Sequence, residues 1–282
     1  ANAFMEAVVK TKFDEDGAYY NEARFLRAYY HFLLAQAWGD VPLRKEAVKT
    51  HDQVMIAVTP QYDVLSWAAA EMEACIELAP ESLEDTPSRI AKTTVHGILS
   101  RVYLFMAGES VKGGDKAALL ASAKNHADAV IQSGMHQLNP DYSQVFKNMI
   151  MDIYDKPSAA NGNKTESMWE VDFLGDRSSA DNWSNGRIGD VLGLQSSGDK
   201  GYDKFNCNFA YGQYNGSLQL WDLYWKTDRV AHEDALGVIT DKRQEWNMPP
   251  YNYKGSSDAP YGQTTGTARV GIDKTPYKYN KV

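Results

Sequence analysis

The chain has 282 residues, 43% of them hydrophobic and 12% aromatic, enough for one large domain or two ordinary ones, with charged residues at a globular 23%. Its 29 Lys and Arg against 37 Asp and Glu leave a net charge of −8, and no basic cluster on one helix face offsets it, which excludes nucleic acid as the expected partner. No run of about 18 apolar residues is present to cross a bilayer as a helix, and Cys75 and Cys207, with no C-x-x-C spacing, support neither a disulfide framework nor a zinc site.

Chain order then sets out the elements. The triplet Asp14-Glu15-Asp16 lacks the alternating ligands and glycine of a calcium loop, and reads as acids complementing the start of a helix. That helix runs from about Tyr19 to Trp38, apolar around most of its circumference and therefore expected to be the most buried, and Gly39 closes it. A second helix carries Leu65, Ala68, Ala69, Met72, Cys75, Ile76 and Ala79 on one stripe, with Thr59 as cap, Pro60 at the first position and Pro80 as the stop. A third places Val95, Ile98, Leu99, Val102 and Met106 on one face and ends at Gly108. A fourth runs from Asp115 as cap to Gly134, with Leu120, Ala123, Ala127, Val130 and Ile131 as its stripe.

Small alanines on these faces let helices approach closely and stack as antiparallel pairs, the pattern of a degenerate tetratricopeptide-like α-α repeat without a strict period. The composition changes near Asn139-Pro140: 7 of the 21 glycines precede it and 14 follow. Residues 1–138 are therefore expected to be a helical scaffold, and 139–282 an irregular, loop-rich region with few short strands. One strand is predicted at Ser167–Phe173, where apolar and polar residues alternate. The segment Trp221–Trp225 reads as a brief helix or an extended stretch, and 249–282 as a loop.

Catalytic patterns are sparse. There is no Walker loop, dinucleotide fingerprint or G-x-S-x-G elbow, and His232-Glu233 lacks the second histidine a zinc helix needs because position 236 is Leu. His31 and His96 read as structural. Glu166, Glu170 and Asp172 qualify for a glycosidase pair by residue type only. No metal or cofactor is expected.

What stands out is a set of rings among polar loop residues. Asn182, Trp183, Tyr202, Tyr211, Tyr214 and Asn215 are the candidate ligand-binding residues, with Phe205 and Trp221 nearby. A sugar has apolar C–H faces rimmed by hydroxyls, so flat rings and planar amides suit it. Half-covering one ring contributes about 2 kcal/mol, and three such platforms less the cost of association give an affinity on the order of micromolar to millimolar. The other reading is a satellite core of packed rings.

The segment Asn21-Glu22-Ala23-Arg24-Phe25-Leu26-Arg27-Ala28-Tyr29-Tyr30-His31-Phe32, followed by Trp38-Gly39-Asp40-Val41-Pro42-Leu43, resembles the signature of the SusD/RagB family. That signature is an E-A-R-F-L-R-A-x-Y-x-F helix with a G-D-V-P-L turn. Ser88–Thr93, Leu99–Leu104, Ile131–Gly134 and Glu166–Val171 agree with the family in the same order. Beyond Phe173 the match thins to Thr227-Asp228-Arg229 and Asp241-Lys242-Arg243, where relatives have an acid-Arg pair.

The resemblance implies a surface-exposed lipoprotein of the outer membrane that binds oligosaccharide or polysaccharide and passes it to a SusC-like TonB-dependent transporter. It implies a lipid anchor ahead of Ala1 and further helices after Val282, so the chain is expected to be incomplete at both ends. It implies no enzyme activity. A peptide-binding RagB-type importer component and a purely protein-binding helical repeat scaffold stand as alternatives, and a glycoside hydrolase as a third.

Overall fold

A computed structural model describes residues 1–81, 88–150 and 166–173, together with Leu220, Arg243 and Asn247. The chain forms two compact units, Ala1–Pro140 with Asn148–Asp172, and Asp141–Lys147 with Phe173–Val282. The fold is mainly α, as the sequence leads one to expect. Among the described residues there are six α-helices: α1 (Asn2–Val8), α2 (Ala18–Trp38), α3 (Gln61–Glu73), α4 (Lys92–Met106), α5 (Lys116–Ser133) and α6 (Tyr142–Ile150). One two-stranded antiparallel pair, β1 (Val41–Pro42) and β2 (Val58–Thr59), joins Val41 to Thr59 and Pro42 to Val58.

In the first unit, α2 packs on α3, α3 on α4, and α4 most extensively on α5. Phe25, Phe32, Leu65, Met72, Leu99 and Met106 are the largest fully buried side chains, each contributing about 1.5–3 kcal/mol of burial. Alanines 28, 35 and 68, all without exposure, let the backbones of α2 and α3 close on this core. In the second unit, Asp141 accepts from the Ser143 N–H at 2.9 Å, and the Tyr142 and Phe146 rings meet edge to face at 5.2 Å.

Helix ends explain which boundaries the sequence marks. Asp14 accepts the free Tyr19 and Tyr20 N–H groups at 2.9 and 2.7 Å, so the acidic triplet serves the start of α2 as predicted. Gly39 has φ 77 and terminates α2. Asp115 accepts from Ala117 and Ala118 N–H, and Gly134, at φ 66, ends α5.

Several expectations are corrected. Helix α2 is not apolar-buried all round, since Tyr30, Leu34 and Trp38, four residues apart, are 54%, 40% and 72% exposed. Thr59 lies in β2 and does not cap α3. The cap comes from Asp40, whose Oδ1 accepts the Gln61 N–H at 2.8 Å. Helix α3 ends at Glu73 instead of Pro80, and the turns that follow still bury Cys75 and Ala79.

Helix α4 ends at Met106, capped by Ala107 in a right-handed conformation, and Gly108 takes no left-handed one. On α5 the buried positions are Leu119 and Ala123, while Leu120 and Ile131 are 49% and 75% exposed. Ser167–Phe173 is no strand, because among the described residues no neighbouring strand pairs with it.

Candidate functional site

The ring-and-amide candidates Asn182, Trp183, Tyr202, Tyr211, Tyr214 and Asn215 lie outside the described residues, as do Phe205, Trp221–Trp225 and 249–282. So do His232, Thr227-Asp228-Arg229 and the Asp241-Lys242 part of the second acid-Arg pair. Among the described residues no group of three or more His, Cys, Asp or Glu side chains is placed to hold a metal ion. No helix of the described residues is long and apolar enough to cross a membrane.

The described chemistry is concentrated on the signature helix. Arg24 Nε and Nη2 donate to Glu71 Oε2 and Oε1 at 3.1 and 2.9 Å, and Arg27 Nη2 donates to Glu71 Oε2 from one turn further on. One α3 carboxylate thus receives two α2 guanidiniums, which is why both arginines fall on the same face at i and i+3. Burial opposes ionisation of Glu71, but the two arginines outweigh it and hold its carboxyl below the usual carboxylate range.

Trp67 of α3 completes the arrangement. The Arg27 guanidinium lies 5.3 Å and the Lys45 ammonium 5.7 Å from its ring centre, and His31 meets it edge to face at 5.1 Å. His31 Nε2 accepts the Arg44 N–H at 3.2 Å, so the proton of the neutral ring resides on Nδ1 and is donated to the Arg27 carbonyl at 2.9 Å. Burial lowers the His31 pKa, and the Arg27 charge adds to that. His31 is structural, as read from the sequence: its neutral form ties the Arg44 backbone to α2.

Two further clasps hold the same helix. Glu22 Oε1 accepts from Arg89 Nε at 2.5 Å, while the Arg89 guanidinium covers the Tyr19 ring at 4.9 Å. Asn21 Nδ2 donates to the Cys75 carbonyl at 2.9 Å, and the Cys75 thiol donates to the Glu71 carbonyl at 3.2 Å. Burial pushes the Cys75 thiol up to about 12, so it is no nucleophile at neutral pH.

The segment 166–172 is anchored across this frame. Thr94 Oγ1 donates to the Met168 carbonyl at 2.8 Å, and the Trp169 indole donates to the Ser88 carbonyl at 2.9 Å. The Trp169 ring meets Phe25 and Tyr29 edge to face at 5.7 and 5.1 Å. Glu166 Oε2 accepts the Asn139 N–H at 2.6 Å. These contacts explain the agreement of Glu166–Val171 with the family: the segment is a strap over the helices. Sequence reasoning missed it, because alternation of side chains points to a strand whether or not a partner strand exists.

Residues 1–104 match a SusD-like family model described as "Starch-binding associating with outer membrane". A SusD homologue from Bacteroides thetaiotaomicron superposes with a TM-score of 0.55 at 24% identity over 69% of this chain and 37% of its own. A SusD superfamily protein from Parabacteroides distasonis gives 0.53 at 22% identity, covering 71% and 39%. A structure solved with a xylogluco-oligosaccharide gives 0.58 at 20% identity, covering 79% and 41%. The chain thus spans 37% to 41% of the length of these three proteins. No curated protein matches it significantly. Residues 1–104, which carry the signature helix and its partners, thus match the SusD-like family model, and the fold is shared with solved SusD-like proteins.

Proposed function

We propose that this chain is the non-enzymatic, glycan-capturing part of a cell-surface nutrient-uptake system, which holds oligosaccharides and delivers them to a SusC-like TonB-dependent transporter. The observation that carries the reading is the SusD-like match over residues 1–104, whose family description names starch binding and association with the outer membrane. The fold shared with a protein solved in the presence of a xylogluco-oligosaccharide supports the ligand class. In this reading 1–138 is the rigid frame and 139–282 faces the ligand, through Asn182, Trp183, Tyr202, Tyr211, Tyr214 and Asn215. A lipid anchor preceding Ala1 holds it to the outer membrane.

Isothermal titration of the chain against a panel of oligosaccharides tests this. Heat with one glycan class and a Kd on the order of micromolar to millimolar is the expected result. Removing one ring platform, Trp183→Ala, is expected to weaken that binding about 30-fold, the equivalent of about 2 kcal/mol. Silence with every glycan, together with heat from peptides, assigns the chain to peptide import.

A further inference from the structure

Outside the signature network, α4 and α5 meet through a pair of histidines. His96 Nδ1 of α4 and His126 Nδ1 of α5 are 2.8 Å apart, with ring centres at 5.1 Å. Two imidazole nitrogens at that distance need one proton between them: one ring donates and the other accepts. On its other side His126 Nε2 is 3.7 Å from Glu73 Oε1 of α3, and the Tyr103 ring lies parallel to His126 at 5.6 Å and 7°. Tyr103 Oη donates to the same Glu73 oxygen at 2.5 Å.

We propose that the His96–His126 pair is a two-step proton latch on the α4–α5 seam, closed by zero or one added proton and opened by the second. The first proton goes to His126, the ring facing the Glu73 carboxylate. The proton between the rings stays there, now on His126 Nδ1 and donated to His96 Nδ1, and each ring carries one further proton on its Nε2. The contact becomes a charge-assisted N–H⁺···N bond, stronger than the neutral one. A second proton has to occupy His96 Nδ1. It sets two N–H groups and two like charges against each other at 2.8 Å, with Lys92 the charged neighbour on the α4 side.

Every element packed against the pair agrees with this order. Helix α3 contributes the acceptor Glu73, while α4 contributes Lys92, a like charge for His96, and the neutral phenol Tyr103. Over Gly97, next to His96, the strap contributes the apolar Met168, whose Cε lies 2.6 Å from where a Cβ on Gly97 would be. Burial lowers both histidines, and the charge of one lowers the other, so two well-separated steps are expected.

The seam is placed to respond. Helix α5 buries Leu119 and Ala123, and the neighbouring tie is Ser100 Oγ donating to the Ala123 carbonyl at 2.9 Å. Loss of the histidine contact removes a polar tie between α4 and α5 and sets like charges against each other on that seam.

The test is a proton-detected titration of the histidine rings in the full chain between pH 8 and 4, with amide exchange of α5 followed in parallel. The latch requires that His96 and His126 titrate in two steps about one pH unit or more apart, and that α5 protection survives the first step and falls at the second. His96→Asn keeps a hydrogen-bonding group near Nδ1 but cannot be charged, so it is expected to leave one titration at His126 and abolish the acid loss of α5 protection. The wild-type titration decides the matter without that variant. Independent titration of the two rings, or α5 protection unchanged across the second step, overturns the proposal.

Discussion

Replacing Glu71 by Gln tests whether the signature arginines act through one carboxylate. The change keeps the shape and one acceptor oxygen but removes the charge that faces Arg24 and Arg27. Stranding a fully buried charge costs about 3–5 kcal/mol. Here the Arg24 side chain is 29% exposed and regains water, whereas Arg27, 13% exposed, does not. Arg27 Nη1 retains the Lys45 carbonyl at 2.9 Å and Asn2 Oδ1 at 3.2 Å, which limits the loss. The expected cost is about 2 kcal/mol at pH 7, read from urea unfolding of the full chain followed by circular dichroism.

The pH dependence sharpens this prediction. The folded Glu71 carboxyl titrates below its ordinary value of 4.5, so its contribution is complete above that pH and is lost as pH falls through the lower folded value. The gap between wild type and Glu71→Gln should therefore close in acid. A difference below about 0.5 kcal/mol at pH 7, the level of an ordinary surface substitution, would show that the arginines hold α2 by packing alone. A gap that persists unchanged far into acid would show that the loss in the Glu71→Gln variant is not electrostatic.

Asp115→Ala removes the oxygen that accepts from Ala117 N at 2.9 Å and Ala118 N at 3.4 Å, and is expected to cost about 1 kcal/mol, with faster amide exchange confined to the first turn of α5. His31, whose folded pKa lies below 6.5, favours the fold fully above that pH and loses its share as pH falls toward the folded value. Stability of the wild type should thus slope downward in that window. His31→Gln, which keeps an acceptor for the Arg44 N–H, should reduce the slope, and an unchanged slope rejects the assignment.

Much of the helical frame was legible because its ends carry stereochemical markers. Gly39 and Gly134 occupy left-handed φ values that other residues rarely adopt, and Asp115 supplies an oxygen to free N–H groups. Where such markers are missing, period alone misleads. Cys75, Ile76 and Ala79 keep the spacing of α3, yet the chain turns after Glu73 and buries two of them from outside the helix. On α5, Leu119 and Leu120 are adjacent and flanked by alanines, so the pattern does not decide which faces inward, and packing chose Leu119. The capping of α3 by Asp40 spans 21 residues and leaves no local trace. Of the candidate binding site only the composition was legible, since the rings between positions 183 and 214 follow no helical or strand period in the sequence.

The partners of the signature residues explain why residues 1–104 resemble the SusD-like family through their scaffold. Glu22 is engaged by Arg89, Arg24 and Arg27 by Glu71, His31 by two backbone groups, and Asp40 by the start of α3. Each is a polar group whose removal would leave a partner unmatched, part-buried for all but the exposed Asp40, so its identity follows from the frame. A frame fixed in this way constrains its own side chains and carries no information about ligand choice. Two chains can share every one of these clasps and differ in ligand, because ligand selection depends on groups that the clasps do not touch. Substitutions within the clasps should therefore move stability and leave relative affinities among glycans unchanged, whereas substitutions at Trp183 or Tyr211 should do the reverse.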